Sequence, residues 1–110
     1  MKAIGLILLL LLGSTSALAA GGPVAYTVNG EPFEGYYVSP DAKAPLVLLV
    51  HDWDGLNDYE IKRSQLLAAM GYAVFAVDLF GKGVRPTELE EKKQRTGALY
   101  QDRERMRALL

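Results

Sequence analysis

The sequence predicts an α/β fold: an N-terminal β-hairpin, then a βαβ unit and a further helix. Two uninterrupted apolar runs carry this reading, Pro45–Val50 and Tyr72–Val77. Strands without hydrophobic alternation belong to parallel sheets whose faces are covered by helices. The third observation is an Asn29-Gly30 pair between two strand-like segments, the chemistry of a tight hairpin turn.

Residues 1–19 read as a secretory signal peptide and not as part of the fold. Lys2 supplies the positive end, Ile4–Leu12 is apolar apart from Gly5, and Gly13-Ser14-Thr15-Ser16 breaks the run. Ala17-Leu18-Ala19 then offers a small-x-small cleavage pattern. The apolar stretch falls well short of the ~20 residues that span a bilayer. Cleavage is expected near Ala19, leaving residues 20–110 exported, secreted or periplasmic, and free of the membrane.

In the mature part, Val24–Val28 and Phe33–Val38 form the expected hairpin, the second strand ending at Ser39-Pro40-Asp41. Pro45–Val50 and Tyr72–Val77 are then expected as parallel strands buried on both faces. Between them a helix starts at Asn57 or Asp58, with Glu60 in its first turn and Gly71 placed as a C-cap. Its expected inward stripe is Ile61, Leu66, Leu67 and Met70. Asp78–Arg85 is a Gly-rich loop, and Pro86 with Thr87 suits a helix start. From Glu88 to Leu110 the pattern is helical, with Leu89, Leu99, Tyr100, Met106 and Leu110 apolar and with Gly97 and Asp102 as places where it divides. The pattern carries no Gly, Pro or Asn stop signal at Arg107-Ala108-Leu109-Leu110. A βαβ unit followed by a helix also calls for another strand. Residues 20–110 are therefore expected to be the N-terminal, truncated part of a longer domain.

Composition excludes several function classes. The 110 residues contain no Cys, so they hold no disulfide, thiolate metal site or cysteine nucleophile. Lys+Arg 12 against Asp+Glu 13 gives a formal net charge of -1, which offers no basic field for nucleic acid or an anionic membrane.

Ligands of open parallel sheets sit beyond the carboxyl ends of the strands. Two loops lie there, His51–Asn57 and Asp78–Gly83. Gly81-Lys82-Gly83 matches neither G-x-G-x-x-G nor a P-loop, so no phosphate-bearing cofactor is expected. His51, Asp52 and Asp54 are too close along one loop to converge on one ion, and no metal is expected. His51 reads as a structural hydrogen-bonding residue, Asp54 and Asp58 as solvated or capping, and Asp78 as a strand-end carboxylate. The charges between Glu88 and Arg107 read as a solvated helix face.

The order of these pieces has a family likeness. Gly30-Glu31, Gly35-Tyr36-Tyr37 and Pro40 are followed by an apolar strand into His51-Asp52-Trp53-Asp54-Gly55-Leu56-Asn57. Gly71-Tyr72 and Val77-Asp78-Leu79-Phe80-Gly81 come next. From about Gly30 onward this resembles the dienelactone hydrolase family. The resemblance implies an α/β-hydrolase-type sheet, present here in part. It also implies cleavage of small-molecule esters or lactones by a Cys or Ser nucleophile with Asp and His, without a cofactor.

By the resemblance, the Trp53 backbone N–H faces the substrate oxygen in the oxyanion hole. Asp52 matches a position, usually Glu, that contacts the resting nucleophile. Lys82 lies near a position where Arg grips a substrate carboxylate; Lys keeps the charge but not the bidentate fork. No G-x-S-x-G elbow occurs: Ser39 precedes a proline and Ser64 falls inside a helix. The nucleophile, acid and histidine of the triad are thus expected beyond Leu110. The alternative function class is a non-catalytic secreted binding or assembly module. Oligomeric state is not legible.

Overall fold

The computed structural model describes residues 20–110, so the expected signal peptide lies outside the described residues. β1 (Ala20–Val28) and β2 (Glu31–Ser39) pair antiparallel in continuous register, from Ala20 opposite Ser39 to Val28 opposite Glu31. The hairpin turns on Asn29 and Gly30, with φ of 50 and 80. Two successive positive φ values define a turn whose twist matches that of the strands, and Asn-Gly accommodates them at low strain. β1 begins earlier than expected and runs through Gly21-Gly22-Pro23. Gly and Pro are disfavoured inside central strands, but β1 is an edge strand, where a proline whose nitrogen faces outward leaves no ladder bond unmade.

β3 (Leu46–Val50), α1 (Asp58–Ala69) and β4 (Ala73–Val77) form the βαβ unit, with β3 and β4 parallel from Leu46 opposite Ala73 to Val50 opposite Val77. β4 also pairs antiparallel with β2, so one mixed sheet has the order β1-β2-β4-β3. α2 (Leu89–Gln101) and α3 (Arg103–Leu109) complete the chain. They divide at Asp102, which caps α3 by accepting from the Arg105 N–H at 3.0 Å. Gly97 lies inside α2, and α2 starts at Leu89, three residues past Pro86.

Helices cover both faces of the sheet. On one face, Ala68 and Leu67 of α1 pack on Val38, Val74, Val47 and Leu49. On the other, Leu99 of α2 and Leu109 of α3 pack with Phe33, Val77, Leu79 and Phe80. Phe33 and Val77 are each 1% exposed, and burying each such side chain contributes about 1.5–3 kcal/mol.

Three packing expectations are corrected. Only part of the expected α1 stripe faces the sheet: Leu67 packs there, but Leu66 is 60% exposed and Met70 72%, while Glu60, Ser64 and Ala68 face inward. Positions two apart on a helix differ by about 200°, so turning Ser64 and Ala68 to the sheet turns Leu66 and Met70 to solvent. Small inward residues let α1 lie close against the β-branched sheet face. β3 is not buried on both faces either: Leu46, Leu48 and Val50 are 65%, 47% and 50% exposed. β3 is an edge strand, and α2 and α3 cover the middle of the sheet. Only β4 has the doubly buried environment expected of both. In the last segment Leu99 and Leu109 are buried, while Leu89, Tyr100 and Leu110 face outward.

Candidate active site

The site grows from the two loops that leave the parallel strands. After β3, His51 enters a turn closed by the Gly55 N–H on the Asp52 carbonyl at 3.2 Å. The Asp52 carboxylate accepts the Asp54 N–H at 3.0 Å, an Asx turn that reinforces the same bend. Gly55 has φ +81, and a Cβ there would lie 3.0 Å from the Val84 carbonyl and 3.3 Å from Phe80. Backbone handedness and close approach to the second loop both require glycine. The loop then passes into α1 through a capping box: Asn57 Oδ1 accepts from Tyr59 N–H at 3.0 Å, and the Asn57 N–H donates to Glu60 at 3.1 Å.

After β4, the second loop is organised by Asp78, which is fully buried. Its Oδ1 accepts the Phe80 and Gly81 N–H groups, both at 3.0 Å, and its Oδ2 accepts the Glu34 N–H at 3.1 Å. Arg85 Nη1 lies 3.8 Å away and also donates to the Val84 carbonyl at 2.8 Å. The Asp78 N–H donates to the Tyr26 hydroxyl at 3.2 Å. Burial, opposed by the hydrogen bond from Asp78 and reinforced by its charge, pushes the Tyr26 hydroxyl above its ordinary 10.0. Asp78 therefore ties β1, β2 and the loop after β4 to one point, as a strand-end structural carboxylate.

His51 joins the two loops. It is buried, and its Nε2 accepts the Leu79 N–H at 2.9 Å. An amide N–H only donates, so Nε2 is unprotonated and the ring proton is on Nδ1. Nδ1 then donates to the Asp52 carbonyl at 2.7 Å. The edge of the ring meets Phe80, with centroids 4.7 Å apart. Both ring nitrogens are thus engaged by backbone, as expected of a structural histidine.

Between the loops and α2 lies a cleft of about 290 Å³, lined by Val50, His51, Asp52, Trp53, Leu79, Phe80, Thr96, Leu99 and Tyr100. It is mostly apolar, and it opens where the sheet's carboxyl ends point. Asp52 and Trp53 are on its wall, with Trp53 45% exposed. Lys82 is exposed and is not among the lining residues; its backbone N–H donates to the Pro32 carbonyl at 3.0 Å.

Two participants were not legible in the sequence. Lys92 on α2, read as part of a solvated face, pairs with Asp54 at 2.6 Å and lies 5.6 Å from the centre of the Trp53 ring. It clips the loop after β3 to α2. Thr96 puts a hydroxyl without a protein partner among the described residues at the cleft. Both arise from the docking of α2 across the sheet, which leaves no local signature.

The profile of the dienelactone hydrolase family matches residues 33–109. The chain belongs to the dienelactone hydrolase family. Among solved structures it is similar to one designated m3DLH, with 32% identity and a TM-score of 0.77 over 84% of this chain and 40% of that one. It also resembles the dienelactone hydrolase-like promiscuous phosphotriesterase P91 from metagenomic libraries, with 24% identity and a TM-score of 0.72 over 83% of this chain and 39% of that one. The chain thus spans about two fifths of the length of these family structures, and the mixed sheet and its helices match that part of the α/β-hydrolase fold. No curated protein matches the sequence. Among the described residues no helix is long and apolar enough to cross a membrane, and no three His, Cys, Asp or Glu group as metal ligands.

Proposed function

We propose that the protein is an exported hydrolase of ester or lactone bonds, in which residues 20–110 supply the oxyanion side of the active site. The observation that carries this reading is the position of the Asp52–Trp53 peptide, in a tight turn on the wall of an apolar cleft at the carboxyl end of β3. The Asp52 carbonyl accepts from His51 and Gly55. In a trans peptide the following N–H points the opposite way, so the Trp53 N–H is directed away from both donors. Among the described residues it has no acceptor.

When a nucleophile adds to an ester carbonyl, the carbonyl oxygen gains negative charge. A fixed N–H aimed at that oxygen lowers the barrier, and one such donor contributes about 10²–10³ in rate. Leu79, Phe80, Leu99 and Tyr100 receive the apolar part of the substrate. Asp52 contacts the nucleophile through the carboxylate oxygen not used by Asp54. Lys82, exposed on the second loop, attracts a substrate carboxylate as a point charge.

The nucleophile, acid and histidine of the reaction are not among residues 20–110 in this reading. Ser39 ends β2, and Ser64 is buried inside α1, donating to the Glu60 carbonyl at 2.7 Å. His51 has both nitrogens engaged by backbone. Export rests on the leader pattern of residues 1–19, and cleavage after Ala19 would leave β1 whole from Ala20. The test is to incubate the natural protein that carries this sequence with aryl esters and small lactones, and to determine its mature N-terminus by mass spectrometry. Hydrolysis and an N-terminus near Ala20 are expected. No turnover of any ester or lactone would refute the activity, and an intact Met1 would refute the export.

A further inference from the structure

We infer that His51 is the positioning residue of the oxyanion hole, through a single hydrogen bond from Nδ1–H to the Asp52 carbonyl. The inference rests on the reading of the Trp53 N–H as oxyanion donor. The Asp52 carbonyl and the Trp53 N–H belong to one planar peptide unit, so fixing one direction fixes the other. Loop peptides between two turn residues rotate readily, and a flipped unit would aim a carbonyl at the substrate oxygen. Two donors oppose that flip here: the Gly55 N–H at 3.2 Å and the shorter contact from Nδ1 at 2.7 Å.

What makes the histidine specific is the other nitrogen. Because the Leu79 N–H occupies Nε2 at 2.9 Å, the neutral ring carries its proton on Nδ1, facing the carbonyl. The loop after β4 therefore dictates the proton position that orients the loop after β3. The ring is buried and packed edge-on against Phe80, which holds its plane.

Two substitutions separate the bonds. In His51→Asn the side-chain amide nitrogen has the same number of bonds from Cα as Nδ1, so it keeps the donor to Asp52 and loses the acceptor for Leu79. In His51→Gln the side-chain oxygen reaches the Nε2 position, keeping the acceptor and losing the donor. Each variant forfeits one bond, so the two are matched in what they cost the fold, which thermal unfolding of both checks.

The experiment measures kcat and KM for an aryl ester, and the ¹H–¹⁵N residual dipolar coupling of the Trp53 amide, in the natural protein and both variants. The expected result is a kcat lowered about 10–100-fold in His51→Gln with KM little changed, and kcat within about threefold of the parent in His51→Asn. The Trp53 coupling should match the parent in His51→Asn and differ in His51→Gln. Equal losses in the two variants, or the same Trp53 coupling in both, would overturn the inference. A parent protein that hydrolyses no ester would refute the proposed function, while the coupling would still decide whether His51 orients the peptide.

Discussion

Replacing Asp78 tests whether one buried carboxylate holds the second loop of the site. In Asp78→Asn the side-chain oxygen can still serve the Phe80 and Gly81 N–H groups, but the amide nitrogen then faces the Glu34 N–H, donor against donor. The loss is one hydrogen bond to a charged acceptor, about 1.5–3 kcal/mol, partly offset because a buried anion is no longer desolvated. A net destabilisation of about 2 kcal/mol is expected. Asp78→Ala strands all three N–H groups and should cost about 4 kcal/mol, a loss confined to buried networks of this kind. Urea unfolding at neutral pH provides the assay. With an m-value of about 1–3 kcal/mol/M, Asp78→Asn should lower the midpoint by about 1 M and leave m unchanged. Amide exchange at Glu34, Phe80 and Gly81 should quicken in both variants. An Asp78→Asn protein within about 0.5 kcal/mol of the parent, or equal losses in Asn and Ala, would refute the reasoning.

Gly55→Ala forces a side chain into positive φ and against the Val84 carbonyl; it should cost about 2 kcal/mol in urea unfolding and slow ester hydrolysis. Lys92→Met removes the clip between α2 and the Trp53 loop; since both partners are partly exposed, the stability loss should be about 0.5–1 kcal/mol and shrink in high salt. Tyr26 should ionise above the ordinary 10.0 in an ultraviolet titration. Above the ordinary 10.0 the native state then holds a proton that the unfolded chain has released, so stability should fall as pH rises through that range. A Tyr26→Phe variant should lose that part of the pH dependence.

Much of this was legible in the sequence because the signals are local. Asn29-Gly30 names its own turn, and Asn57 with Glu60 names the start of α1. The apolar run into His51-Asp52-Trp53 marks a strand that ends at the wall of the cleft. What escaped depends on neighbours distant in the chain. The apolar run at Leu46–Val50 resembles that at Ala73–Val77, yet only the second has a strand on each side, and sheet order cannot be read from either run. The Leu66 and Met70 pattern in α1 suggested a buried stripe, whereas the close-packed side is made by Ser64 and Ala68, whose small size carries no hydrophobic signal. Lys92 looked like any helix-surface lysine until α2 docked beside Asp54 and Trp53. His51 was recognisable as hydrogen-bonded, but its tautomer depends on Leu79, on another loop.

The central claim, that the Trp53 N–H stabilises the oxyanion of an ester or lactone, is tested most directly by a crystal structure of the natural protein with a tetrahedral phosphonate bound to its nucleophile. A phosphonate oxygen is expected about 2.7–3.1 Å from the Trp53 nitrogen, with the Asp52 carbonyl still turned to His51. A phosphonate whose oxygens all lie beyond hydrogen-bonding distance of Trp53 would contradict it.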